Sequence, residues 1–250
     1  VGLGERRDYF FPKKWICVDW KNADFNIDFK NKSKLPFREN SKEIFFTAHL
    51  FEHIGFEAAQ HLFEEVYRSL KPGGSIRIEV PDFDIFLNAY RNNDRAFIEK
   101  FNDHHKNLKK RFNIKDHIDE DHIVVINAVS NNFKNLFENG GLRKIPVSIP
   151  CYAEKEIFEK KLNNLNTIDF INWCVALQTK EQLKSGGHQC GYNFDILRDM
   201  LTKSKFSKIS KCRFGHTNIT NLNISSELKI NSILEKEHRR HMSIYVEATK

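Results

Sequence analysis

The chain is poor in the residues that staple or span. Its 5 cysteines, Cys17, Cys151, Cys174, Cys190 and Cys212, are an odd number, widely separated, with no CxxC pair. That excludes a disulfide framework and the usual zinc spacings, so buried or half-buried thiols are the expectation. No uninterrupted apolar run approaches the ~18 to 20 residues that a bilayer span needs. The opening VGLGERRDYF lacks the basic end and apolar stretch of a signal peptide, so a cytoplasmic setting is expected. There is no internal repeat, and 6 prolines and 11 glycines are too few for a collagen-like or low-complexity chain. What is there is 250 residues, 40% hydrophobic and 29% charged, which suits one globular domain that buries its core without staples.

The net charge of +7 is unevenly placed. Lysine plus arginine and aspartate plus glutamate balance in residues 1–125, so the excess lies in the second half. Much of it falls in one stretch, where Arg198, Lys203, Lys205, Lys208, Lys211 and Arg213 are offset only by Asp199. Such a stretch either solvates a strand and helix face or steers an anionic ligand. No aromatic-rich repeat accompanies it, so the solvated face is the preferred reading.

Hydrophobic patterning divides the chain further. Trp15 to Val18 is an apolar run ending at Asp19, Ala23 to Phe29 alternates and includes Asp28, and Glu43 to His49 is β-rich. Phe56, Ala59, Leu62, Phe63, Val66, Tyr67 and Leu70 then form one helical stripe, stopped by Lys71-Pro72-Gly73-Gly74. Ser75 to Val80 returns to strand periodicity before Pro81-Asp82. This is the rhythm of a parallel α/β sheet covered by helices. Residues 83–112 read as helical, 113–150 as mixed apolar and asparagine-rich sequence, 153–183 and Asn193 to Leu201 as helical. Phe206 to Phe214 and Ser243 to Thr249 are the last two strand candidates.

In a doubly wound sheet the ligand lies beyond the C-terminal ends of the strands. Here those ends carry Gly4, Asp19, Asp28, His49 and Asp82. An acid closing the second strand can accept both hydroxyls of a ribose, and one closing the third can accept an adenine amino group, which together point to an adenosine-containing cofactor. The plainer reading of either acid is a turn or helix cap.

The segments WICVDW, IDFKNKSKLPFREN, FFTAHLFEHI and LKPGGSIRIEVPD resemble the class I S-adenosylmethionine-dependent methyltransferases, in the branch with the signature INVD, LPF, SHVLEH and LKPGG-RI-VPD. GGHQCGYNFDIL, KFSKISKC and SIYVEAT are similar to that branch's closing helix and final strand pair. The resemblance implies an α/β fold: a Rossmann-like, doubly wound, mostly parallel sheet with a C-terminal antiparallel strand pair. It implies a single methyltransferase domain over 1–250, with residues 85–190 a mainly helical insertion or lid. The cofactor it implies is S-adenosylmethionine, leaving as S-adenosylhomocysteine. By family position Gly4 lies against the methionine part, Asp19 with Trp20 holds the ribose, Asp28 with Phe29 the adenine, and Ala48 with His49 offers backbone to the methionine amino group. The chain departs from the family's acid-x-Gly-x-Gly loop, with Gly2 in place of the acid and Arg6 in place of a second glycine. Because Val1 falls at the tail of the first strand, residues before it are expected.

For a proton acceptor the order of candidates is His53, Asp82 and His188. His53 alternatively packs or caps the helix start, and His188 is alternatively an exposed loop histidine. His117 and His122, around an acidic run, are read as part of an acidic loop, so no metal is expected. Members of the branch occur with enzymes that build surface polysaccharides, which implies a small-molecule acceptor: a saccharide, a nucleotide-sugar or a phosphorylated capsule precursor. Alternatives are methylation of a tRNA or rRNA base, disfavoured for want of an RNA-binding module, and a non-catalytic interaction module with this fold. Oligomeric state is left open.

Overall fold

The structure, a computed structural model, describes residues 2–3, 15–101, 120–130, 151–184, 187–220, 222 and 241–250. They fall into two compact units, Val1–Asp82 with Tyr192–Lys250, and Phe83–Gly191. Among the described residues no helix is long and apolar enough to cross a membrane.

The first unit is built on a seven-stranded sheet: β1 (Gly2–Leu3), β2 (Cys17–Asp19), β3 (Phe25–Asn26), β4 (Lys42–Ala48), β5 (Leu70–Pro81), β6 (Ser207–Cys212) and β7 (Ser243–Thr249). Their spatial order is β3-β2-β1-β4-β5-β7-β6. β1 to β5 pair in parallel, whereas β7 runs antiparallel to both of its neighbours. The inner halves of β4 and β5 are buried without alternation, the pattern of strands covered on both faces. Helix α1 (Phe56–Ser69) buries Ala58, Ala59, Leu62, Phe63 and Val66, the stripe expected from its period.

The step from α1 into β5 explains two glycines. Leu70 already pairs with Lys42 across a register shift, so Lys71-Pro72-Gly73-Gly74 is an irregular part of the strand. Gly73 has φ +79°, and a Cβ on Gly74 would lie 2.9 Å from the Glu43 and Lys71 carbonyl oxygens. Lys250 closes the turn, its carbonyl accepting from the Gly73 N–H (3.1 Å) and its N–H donating to the Gly74 carbonyl (2.9 Å).

Buried charges in this unit are matched. Arg77 on β5 faces Glu247 on β7, with Nη1 2.5 Å from Oε1. Glu247 also accepts from Thr217 Oγ1 (2.6 Å) and the Asn218 N–H (2.7 Å). Burial alone would raise its pKa, but these donors and the guanidinium together hold it below the usual carboxylate value. Glu65 on α1 likewise accepts from the Leu35 N–H (2.9 Å) and from Arg68, which donates onward to the Phe37 carbonyl (2.8 Å). The pair thereby fastens the loop before β4 to the helix.

One expectation needs correction here. The alternating stretch 23–29 supplies only the two-residue β3, followed by a 3-10 turn, Phe29–Asn31. The Asp28 side chain accepts from the Lys30 N–H (3.0 Å) and from Asn31 Nδ2 (2.9 Å), an interaction that competes with the ladder. The basic stretch is also partly neutralised. Arg198 on the helix Phe194–Lys203 pairs with Asp195 and Asp199, and Lys211 on β6 pairs with Asp82. β6 is an edge strand, where Lys208 and Lys211 discourage pairing with another chain.

The second unit is helical: α2 (Phe83–Arg91), α3 (Asp121–Ser130), α4 (Lys155–Asn164), α5 (Thr167–Ala176) and the short α6 (Lys180–Lys184), with residues 95–101 also helical. The helical run 153–183 is therefore three helices. Asn166 caps α5 by accepting from the Asp169 N–H at 2.9 Å. The apolar run 123–129 lies in α3, which is buried nearly all round. Rings fill the core: Phe158 packs on Phe170 (centroids 5.4 Å) and Tyr90 (5.1 Å), and Phe86 on Phe97 (5.4 Å) and Phe101 (5.2 Å). Helix Phe194–Lys203, which belongs to the first unit, is named α7 below; Asn193 caps it through the Ile196 N–H (2.9 Å). All five cysteines are free thiols, Cys212 half-buried and the others buried.

Candidate active site

The strand order reverses at β1, whose neighbours are β2 and β4. Ligands of open α/β sheets bind beyond the strand ends at such a point. The residues at issue are therefore those just past β2, β4 and β5.

At the end of β2, Asp19 is half-buried and its Oδ1 accepts from the Trp20 N–H at 2.7 Å. Trp20 is 64% exposed, with the Lys21 ammonium 4.4 Å from its ring centre. A large ring left in solvent beside a strand-end carboxylate is an unusual use of an indole. Asp28 is exposed and capping its turn, while Phe29 is buried in that turn rather than open to a ligand. Gly4 and Arg6 lie outside the described residues.

At the end of β4, Ala48 is buried and in register with Glu79, and the His49 N–H donates to the Glu79 carbonyl at 2.8 Å. His49 itself has φ +52°, a left-handed conformation that a non-glycine residue adopts at a cost. Its ring lies between two buried glutamates, Nδ1 3.0 Å from Glu52 Oε1 and Nε2 3.5 Å from Glu79 Oε1. Ser243 Oγ of β7 is 3.5 Å from the same Nε2. Burial disfavours the imidazolium, but the hydrogen bonds to Glu52 and Glu79 and their charges outweigh it and raise its pKa from 6.5 to about 9.

His53 closes the 3-10 turn Phe51–His53, its Nε2 3.8 Å from Glu52 Oε1. The turn is anchored from below by Phe51, stacked on Phe63 at 4.3 Å, and by Tyr192, whose hydroxyl donates to the Phe51 carbonyl at 3.4 Å. At the end of β5, Asp82 is buried, its Oδ2 3.1 Å from Lys211 Nζ and its N–H bonded to the Met242 carbonyl. β4, β5 and the turn between them thus bring His49, Glu52, His53 and Glu79 together.

His188 belongs to the second unit. It is buried, its N–H donating to the Ser130 carbonyl at 3.3 Å and its carbonyl accepting from Gln178 Nε2 at 2.8 Å. It is therefore not an exposed loop histidine. His122 is buried in the same unit, with Nε2 2.9 Å from the Ala153 carbonyl; His117 lies outside the described residues.

Residues 14–78, the segment that builds β2 to β5, match a family model described as a methyltransferase domain. That segment is therefore similar to a methyltransferase domain over about a quarter of the chain. No curated protein matches the chain. Solved structures similar to it include S-adenosylmethionine-dependent methyltransferases from Mesorhizobium loti (13% identity, 100% of this chain and 89% of that chain, TM-score 0.43), Thermotoga maritima (12%, 100% and 80%, 0.42) and Archaeoglobus fulgidus (12%, 100% and 84%, 0.40).

The donor that the resemblance implies is S-adenosylmethionine, and the residues present suit it. Glu52 and Glu79 are two buried carboxyl groups that meet one imidazole at the end of β4, an acidic setting that suits a donor bearing sulfonium and amino cations. The carboxylate of Asp19 stands at the end of the strand next to β1.

Sequence reasoning missed Glu52, Glu79, Ser243, Tyr192 and Lys211. Two of them left a signal. His49 and Glu52 are three apart within HLFEH, and Glu79 is an acid inside the apolar strand SIRIEV, where a charge needs a partner.

Proposed function

We propose that the protein transfers the methyl group of S-adenosylmethionine to an oxygen or nitrogen of a small molecule, and that the acceptor is a saccharide, a nucleotide-sugar or a phosphorylated precursor of a surface polysaccharide. The observation that carries the reading is the methyltransferase-domain match over the segment forming the strand ends. When bound, the cofactor supplies a methyl group activated by a sulfonium charge. The chain's own residues hold and deprotonate. Asp19 accepts hydrogen bonds from vicinal hydroxyls, and Trp20 offers an apolar ring beside them. Ala48 and His49 offer backbone carbonyls to an ammonium group. His53 takes the proton of an acceptor hydroxyl, and Glu52, 3.8 Å away, stabilises the imidazolium so formed. Asp82 is the second choice, because accepting a proton would cost its ion pair with Lys211. Arg213, just past the end of β6 that lies level with the C-terminal end of β5, is an exposed cation that favours an acceptor bearing phosphate.

Calorimetric titration with S-adenosylmethionine and S-adenosylhomocysteine is the test. Micromolar binding is expected, at least tenfold weaker in Asp19→Ala, followed by a screen of phosphorylated sugars. Absence of binding to the wild-type chain would overturn the reading.

A further inference from the structure

The turn after β4 contains a side-chain cluster that donor binding through backbone atoms does not explain. We propose that the His49 side chain is a positioning residue: bridging Glu52 of the turn and Glu79 of β5, it fixes the turn against the sheet and thereby sets the geometry of His53 and of the backbone that receives the methyl donor. The proposal rests on the methyltransferase reading above.

Three observations carry it. The two carboxylates come from different elements, are both buried, and meet the same ring at 3.0 and 3.5 Å. Without a cation between them, two buried like charges would push the turn and the strand apart. His49 holds φ +52°, so the backbone accepts an unfavourable conformation to keep this side chain in place. Glu52 Oε1, which meets His49, also lies 3.8 Å from His53 Nε2, so the proton-accepting candidate is coupled to the bridge.

The groups facing the ring from each element are Glu52 from the turn, Glu79 from β5 and the neutral Ser243 hydroxyl from β7, with His53 beyond Glu52; Asp82, further along the chain from β5, is engaged by Lys211. A raised pKa means that the bridge is complete below pH 6.5 and is lost as the pH rises through about 9. Donor affinity should therefore be flat through neutrality and weaken across pH 9.

Two measurements separate the bridge from the activity. Imidazole nitrogen NMR, with His49 assigned by its loss in His49→Gln, should show a midpoint near 9, moved well down in Glu79→Gln. S-adenosylhomocysteine binding by calorimetry should weaken about tenfold between pH 7.5 and 10 in the wild type. In His49→Gln, checked for fold by circular dichroism, it should be weak already at pH 7.5 and lose the step. An imidazole titrating near 6.5 in a protein that binds S-adenosylhomocysteine, or wild-type affinity and pH profile in both variants, would overturn the role of His49 alone. A midpoint near 9 in a protein that binds no S-adenosylhomocysteine at any pH would overturn the methyltransferase reading and the positioning role with it, leaving only the ion cluster.

Discussion

In the first unit buried charged groups are set against opposite charges, Arg77 with Glu247, and Glu52 and Glu79 with the half-buried His49. In the second the fully buried side chains include rings and thiols, Phe158, Phe170 and Cys174, while polar groups such as His122 and Gln178 are matched to backbone carbonyls. The contrast follows from how each unit satisfies its backbone. A helix closes its own hydrogen bonds, so helices need only apolar filling between them. A sheet assembled from distant segments brings strand ends and edges together, and charged residues placed there bind one segment to another.

The largest effect is expected where a buried charge loses its partner. Arg77→Met should cost about 3 to 5 kcal/mol in urea unfolding, because Glu247 stays buried, whereas Arg77→Met combined with Glu247→Met should recover much of that loss. Equal costs for the single and double variants would break the contrast. Next is the ring core of the second unit. Phe158→Ala should cost about 3 to 4 kcal/mol through the cavity it leaves, with the same penalty at pH 5 and pH 8. The smallest effect is the dependence on pH, which sharpens the comparison because its acid limb should be confined to one unit. Glu65 and Glu247 are depressed below 4.5, so their contribution is present above that value and is lost as the pH falls through their folded values. His49 is raised, so its contribution is lost at the other end, through about 9. Hydrogen exchange followed by region should show first-unit amides losing protection at the acid extreme by about 1 to 3 kcal/mol, with helices α3 to α5 little changed there.

Much of the first unit was legible because its strands carry their own punctuation. Runs such as Phe45 to Ala48 and Ile76 to Val80 are apolar throughout, end at polar residues, and flank a helix with a clean stripe. β3 was over-read because Asp28 can cap a turn as readily as end a strand, and alternation over seven residues does not distinguish the two. In the second unit, α3 is buried on nearly every side, so its sequence has no periodicity to read. Of the site, the strand-end acids were visible one at a time. The bridge at His49 was not, because Glu79 reaches it only through the pairing of β4 with β5.

The position of β7 has a further consequence, for the order in which the chain can fold. It lies between β5 and β6, and its register sets Arg77 opposite Glu247, 170 residues later. Until that strand arrives, β5 presents an apolar edge with unpaired amides and carbonyls, open to any extended segment that meets it. Contacts of such separation are slow to form, so the exposed edge of β5 is the place where a newly made chain is most at risk of pairing with another copy.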